Sequence, residues 1–381
     1  MEPFFLLWES PWGAWKVSAV HPFWLLAILL VAWQYAWKGI KEQKKLGSRL
    51  HPPTPLFLRS LLFGIGGGLL FSFGVSSWMF EIDGASIPWV WGGVIGMFLI
   101  RPRFACPSYA IGVLTFVSLC WEQAGWSTEG IWLGLSDFHT PDWLLLMSAL
   151  HGLEWLLVRL DGQRGSTPIV EETKAGQVVG GALLQKIWAL PLVIGTPNGW
   201  LPLPLVIGFS RVNLSRPMRQ QKRRSSSLIL VYAGLLGLVS WGAMFWPAFM
   251  WLAASFCILG HEGIYQLGRI RERRRSPLFT SNEKGVNILA VWPNSPAKMM
   301  HIKPGDTVLK VNGMEVTDLR ALEHNISTSG ALCRLEVMDR HGETRLSQRV
   351  LYEGDPVHLG IVEIPKAISL NPTIRTQEHQ Q

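Results

Sequence analysis

Up to about residue 275 the chain is a succession of long apolar runs separated by short charged stretches. Beyond that point apolar and polar positions alternate in short blocks closed by Pro, Gly, Asn and Asp. The first pattern is that of membrane helices, each needing about 20 residues to cross a hydrocarbon core of about 30 Å; the second is that of a small sheet domain. Candidate spans are 18–37, 57–79, 87–100, 105–121, 142–160, 226–245 and 247–265. The sequence therefore predicts a polytopic α-helical membrane bundle over 1–268 and a basic linker over 269–276. A small α+β soluble domain over 277–365 and a disordered tail over 366–381 follow.

Composition agrees. Of 381 residues 48% are hydrophobic and only 16% charged, and the mean hydropathy is +0.22, which excludes an ordinary cytoplasmic enzyme. The net charge of +8 is gathered in loops, as Lys and Arg gather on the cytoplasmic side of a spanning protein. Lys38, Lys41, Lys44, Lys45 and Arg49 follow the first span, Arg101 and Arg103 the third, and Arg211 to Arg224 precede the sixth. The loops with Glu81 and Asp83, and with Glu122, Glu129 and Asp137, face outward, as does the N-terminus. Arg269, Arg271, Arg273, Arg274 and Arg275 then place the soluble domain in the cytoplasm, so the charge marks topology and contact with anionic lipid, not nucleic acid.

Residues 187–210 are apolar but broken by Pro191, Pro197, Pro202 and Pro204, and both flanking loops carry cytoplasmic charge. A re-entrant or interfacial hairpin turning at Thr196-Pro197-Asn198-Gly199 satisfies both facts, with two short tilted spans as the alternative. Gly64, Gly66, Gly67 and Gly68 lack the features of a nucleotide loop and instead permit close helix approach. Glu171-Glu172 reads as a solvated loop.

Ionisable residues in the spans are few. His151 and Glu154, three apart on the fifth span, share a helix face and form an interhelical polar contact, with His261 or Glu262 as partners; an ion or proton path is the competing reading. His261-Glu262-Gly263-Ile264-Tyr265 has Tyr where a zinc-protease helix needs its second His, and Leu160-Asp161-Gly162 precedes that pair instead of following it. Four cysteines, Cys106, Cys120, Cys257 and Cys333, have neither disulfide nor zinc-knuckle spacing. No catalytic residue, cofactor or metal ligand is assigned.

In the soluble part, Val286, Ile288 and Ala290 alternate as a strand, Ser295-Pro296-Ala297 and Lys303-Pro304-Gly305-Asp306 form turns, and Asn312-Gly313 marks a hairpin. Thr317 stands as N-cap to a helix with Leu319, Leu322 and Ile326 on one face. This order resembles a bacterial PDZ domain, an antiparallel, partly open β-barrel with helices. The run His358-Leu359-Gly360-Ile361-Val362 resembles its carboxylate-binding loop and strand, placed last as in the circularly permuted form. The resemblance implies a peptide groove between that strand and a wall of Leu319, Leu322, Glu323 and Ile326, where an extended segment adds to a sheet edge. The bland alternative makes Leu359 and Ile361 plain core residues.

The whole arrangement resembles the MinJ family of Gram-positive bacteria. Membrane-part details that carry this are His21-Pro22, Glu154, Gly165-Ser166-Thr167-Pro168, Trp188 and Pro191, Ile207-Gly208-Phe209, and Gly260-His261-Glu262. The resemblance implies a non-enzymatic scaffold at septa and poles of the plasma membrane, bridging DivIVA to MinD. Competing readings are a PDZ sensor or adaptor for a protease or signalling kinase, a transporter using His151, Glu154 and 187–210, and a degenerate intramembrane metalloprotease.

Overall fold

Proline decides where the first helices begin. In a computed structural model, residues 7–46, 49–104, 106–126, 132–136, 138–173, 176–281, 284–328, 330–352 and 358–366 are described. Glu129, Asp137, Val357 and the tail from 367 on lie outside them. Helix α1 (Pro11–Val20) is capped by Ser10, whose side chain accepts the Gly13 N–H, and α2 (Pro22–Leu46) starts afresh after His21, held extended as a residue before proline must be. The expected first run, 18–37, is therefore divided at His21.

Six further helices carry the other apolar runs up to 160 and after 225: α3 (Pro53–Gly74), α4 (Ile87–Ile100), α5 (Pro107–Ala124), α7 (Thr140–Asp161), α8 (Met218–Ala243) and, closing the set, α9 (Ala248–Arg273), with a short α6 (Leu133–Ser136) between α5 and α7. Among the described residues, four helices are long and apolar enough to cross a membrane, within α2, α3, α7 and α8. Helix α9 runs through Arg273, so most of the basic stretch expected as a linker is its last turn.

The N-terminal region is helical except over 167–213, where the hairpin expected within 187–210 is part of a β-sheet. Strands β1 (Thr167–Glu172), β2 (Val178–Thr196) and β3 (Gly199–Asn213) form an antiparallel sheet, so Glu171 and Glu172 lie in a strand and not a loop. Residues 187–210 make a two-stranded hairpin with Thr196 opposite Gly199. It runs beside α3, buried among the helices: Trp188, Leu190, Ile194, Leu203 and Leu205 are inaccessible.

A buried two-stranded ribbon has two outer edges whose backbone groups need partners. Pro191 lies opposite Pro204 and Val193 opposite Pro202, so three of the outward donors do not exist. Several of the remaining edge groups find partners on neighbouring elements. Ser72 on α3 accepts the Val193 N–H at 2.9 Å, and the Phe80 N–H donates to Gly195 O at 2.8 Å. Trp91 Nε1 donates to Pro204 O at 2.9 Å, and Trp8 and Trp200 exchange two backbone bonds. Close approach of α3 is licensed by glycine: a Cβ on Gly64 would sit 2.1 Å from Ala189 O, and one on Gly68 would press on Pro191.

The C-terminal region is a separate sheet in the order β10-β5-β6-β8-β9, with β7 on β6: β5 (Val286–Val291), β6 (Thr307–Val311), β7 (Met314–Glu315), β8 (Leu332–Met338), β9 (Thr344–Val350) and β10 (Ile361–Glu363), plus the short α10 (Pro296–Met299) and α11 (Leu319–Thr328). The last strand thus pairs with the first and forms an edge. Asp318, not Thr317, caps α11, accepting the Ala321 N–H at 2.8 Å. Strand β4 (Phe279–Thr280) pairs with β2, and Val178 and Leu50 pack with Leu289, Ala290, Val362 and Ile364, which joins the two regions through a small apolar seam.

Candidate functional site

The edge strand β10 faces α11, and two side-chain contacts tie them. Glu363 Oε2 accepts the Leu319 N–H at 2.9 Å, and His358 Nδ1 lies 2.7 Å from Glu323 Oε1. Burial pushes the Glu363 carboxyl up, an effect opposed by the Leu319 N–H. Gly360 turns with φ of 76°, and a Cβ there would meet Ser295 at 2.3 Å. The backbone before the edge strand is thus shaped by a residue that only glycine fits.

The nine residues expected in the groove divide into two sets. Leu322, Ile326, Leu359 and Ile361 are buried in the domain's own core, and Val362 turns to the seam with the N-terminal sheet. Leu319 and Glu323 are half-buried and His358 is exposed, so these three form the accessible lip, while Gly360 is buried beneath it.

The second expected site is a buried polar cluster where α5, α7, α8, α9 and the end of β3 meet. His151 Nδ1 is 2.7 Å from Glu154 Oε2, both side chains being inaccessible, and His151 Nε2 is 3.2 Å from Ser108 Oγ. Ser108 and Tyr232 donate to Cys257 O at 3.0 and 2.7 Å. The His151 and His261 rings are 5.2 Å apart. Glu262 belongs to a different contact: Arg103 grips it with two bonds of 3.0 and 2.9 Å, while Tyr109 and Gln266 also donate to it. Tyr265, in the place of the missing histidine, stacks on the same Arg103. Thus the His-Glu pair of α9 is split between two environments, and the carboxylate is engaged by a guanidinium.

A third cluster escaped the sequence reading. Lys186, in β2 and inaccessible, donates to Asp161 Oδ2 at 2.7 Å, and Arg59 Nε reaches Asp161 Oδ1 at 2.5 Å. The available signal was a lone Lys inside an apolar run, which demands a buried partner.

Residues 278–346 match the PDZ domain family model, a protein-binding module. Over 222 residues the chain is 26% identical to the cell division topological determinant MinJ of Bacillus subtilis (strain 168), an alignment that takes in 52% of this chain and 55% of that one. It is 24% identical over 384 positions to the probable cell division topological determinant MinJ of Lacticaseibacillus paracasei, and equally to that of Lacticaseibacillus casei (strain BD-II). Those alignments take in 90% of this chain and 95% of each relative. The chain is MinJ-like. The alignments with the Lacticaseibacillus relatives extend over most of the chain, so the MinJ-like character takes in the helical region and its hairpin as well as the PDZ domain.

Proposed function

We propose that this MinJ-like chain is a non-enzymatic multi-pass membrane scaffold for placing bacterial cell division, with its PDZ domain in the cytoplasm. The observation that carries the proposal is the similarity to MinJ proteins along 90% of the chain. The partners that follow are DivIVA and MinD, bridged so that the division machinery is kept from finished septa. The open edge of β10 and its lip at Leu319, Glu323 and His358 suit the addition of an extended peptide segment. Exposed Arg219, Arg223, Arg271, Arg273, Arg274 and Arg275 hold the cytoplasmic face on anionic lipid, at about 1 kcal/mol for each that nears the surface.

The test is imaging of a fluorescent fusion in the native host, full length beside a version ending before Pro277. Enrichment at septa and poles supports the scaffold, and its loss on truncation assigns targeting to the PDZ domain. An even signal around the membrane overturns the proposal in favour of a sensor or adaptor.

A further inference from the structure

Cys106 stands at the N-terminus of α5, His151 in the middle of α7 and His261 on α9. Far apart in sequence, they offer one sulfur and two imidazole nitrogens that all lie within 4.8 Å of one another. Among the described residues this is the one group of three or more His, Cys, Asp or Glu so placed. Two independent features point the group at a cation. His261 Nδ1 is shut off from the surface and has no hydrogen-bond partner, although a buried imidazole nitrogen without one is costly. Glu154 holds His151 through Nδ1, which fixes the tautomer whose Nε2 lone pair, now facing Ser108 Oγ, can turn to a metal, and adds the carboxylate that commonly backs a metal-binding histidine.

We infer that Cys106, His151 and His261 form a zinc site that clips α5, α7 and α9 together. A mixed thiolate and imidazole set suits Zn²⁺, with bonds of about 2.3 Å to sulfur and about 2.0 Å to nitrogen; a tetrahedral arrangement then sets donor separations near 3.5 Å. Closing from 4.8 Å needs about 1 Å of side-chain movement, within reach of a small rotamer adjustment. Ser108, now beside His151 Nε2, keeps its bond to Cys257 O when the ring turns to the metal. The adjoining cavity, about 40 Å³ and lined by His151, Glu154, Tyr232, His261 and Arg211, has room for a water as fourth ligand. The Cys106 thiol gives up its proton to solvent as the Zn–S bond forms, and the thiolate with the Glu154 carboxylate then balances the dication. Arg103 is already paired with Glu262, whereas Arg211, which donates to the neutral carbonyl of Ile264, keeps its charge beside the cavity.

The site is independent of the scaffold proposal, and its test reads no cell-division phenotype. Full-length protein in detergent is stripped with a chelator, loaded with Zn²⁺ or Co²⁺ alone, and desalted. About one equivalent of metal per chain is expected, with the near-ultraviolet thiolate-to-cobalt charge-transfer band and the visible bands of a four-coordinate cobalt adduct. Cys106→Ser abolishes the charge-transfer band, and His261→Ala lowers retained metal at least tenfold. Failure of the wild type to retain metal overturns the inference, as does retention without the charge-transfer band or a Cys106→Ser variant with the wild-type spectrum. Where a variant does not fold, the wild-type cobalt spectrum decides.

Discussion

Substituting alanine at Gly64 and, separately, at Gly66 separates backbone contact from helix propensity within one glycine-rich turn. At Gly64 the new Cβ falls 2.1 Å from the backbone oxygen of Ala189, a distance no rotamer can relieve, so α3 and β2 must part by about 1 Å, an overpacking that costs about 1–3 kcal/mol. Parting also stretches the 2.9 Å bond by which Ser72 satisfies the Val193 N–H, and a buried donor left alone adds about 1–3 kcal/mol. Against this stands the gain of about 1 kcal/mol for Ala over Gly in a helix. The net for Gly64→Ala is a loss of about 1–5 kcal/mol. At Gly66 a Cβ meets nothing within 4 Å, so Gly66→Ala is neutral or gains up to about 1 kcal/mol. Unfolding of the purified full-length protein in detergent, followed by tryptophan fluorescence, measures both. Gly64→Ala within about 0.5 kcal/mol of the parent, or Gly66→Ala equally damaged, would refute the account of how the helix seats on the hairpin.

Other consequences are as direct. Asp161→Asn strands Lys186 as a buried cation and lowers stability by about 3–5 kcal/mol, while adding Lys186→Met restores most of it; denaturation of the single and double variants compares them. Gly360→Ala, forced into a left-handed φ and against Ser295, destabilises the PDZ domain in a melt, so Leu319→Lys or His358→Ala is the cleaner probe of peptide binding. For Glu363 the folded pKa lies above the unfolded one. Its contribution is therefore complete below the unfolded pKa and lost as pH rises through the folded one. Glu363→Gln, which keeps an acceptor for the Leu319 N–H, should melt higher than the parent at pH 7 and show a flatter pH dependence in the acid range; equal pH profiles would sink the idea. The Cys333 thiol, pushed up to about 11 by burial in the PDZ core, resists maleimide at pH 7 until the domain is unfolded, which mass spectrometry detects.

The helices were legible because their apolar runs are long and end at Pro or at clustered charge, signals that act locally. The same holds for the turns of the PDZ domain, where Asn312-Gly313 and Lys303-Pro304-Gly305-Asp306 prescribe backbone angles within four residues. The cap of α11 was misplaced by one residue because Thr317 and Asp318 are both good caps, and only the orientation of the Asp318 carboxylate toward Ala321 distinguishes them. The clusters were less legible for a different reason. His151 and Glu154 meet by helical spacing, but Cys106 and Lys186 acquire their partners from elements 45 and 25 residues away in the chain, a separation that periodicity does not encode.

The hairpin is the instructive case. Strand assignment by alternation fails in 187–210 because both faces are buried against helices, leaving no polar positions to beat the period of two. Its four prolines argue against a central strand, and for an isolated sheet that argument is right. What reverses it is the surroundings. Each strand of a two-stranded ribbon is an edge, and in an apolar environment an outward N–H without a partner costs free energy that a proline avoids by having none. Pro191, Pro202 and Pro204 thus read as strand breakers and act as edge blockers, while Ser72, Phe80, Trp91 and Trp8 supply partners for the edge groups the prolines leave. Restoring a donor with Pro204→Ala should therefore destabilise the protein even though alanine is the better strand residue. Stability equal to the parent in the same detergent unfolding assay would show that this edge is wet.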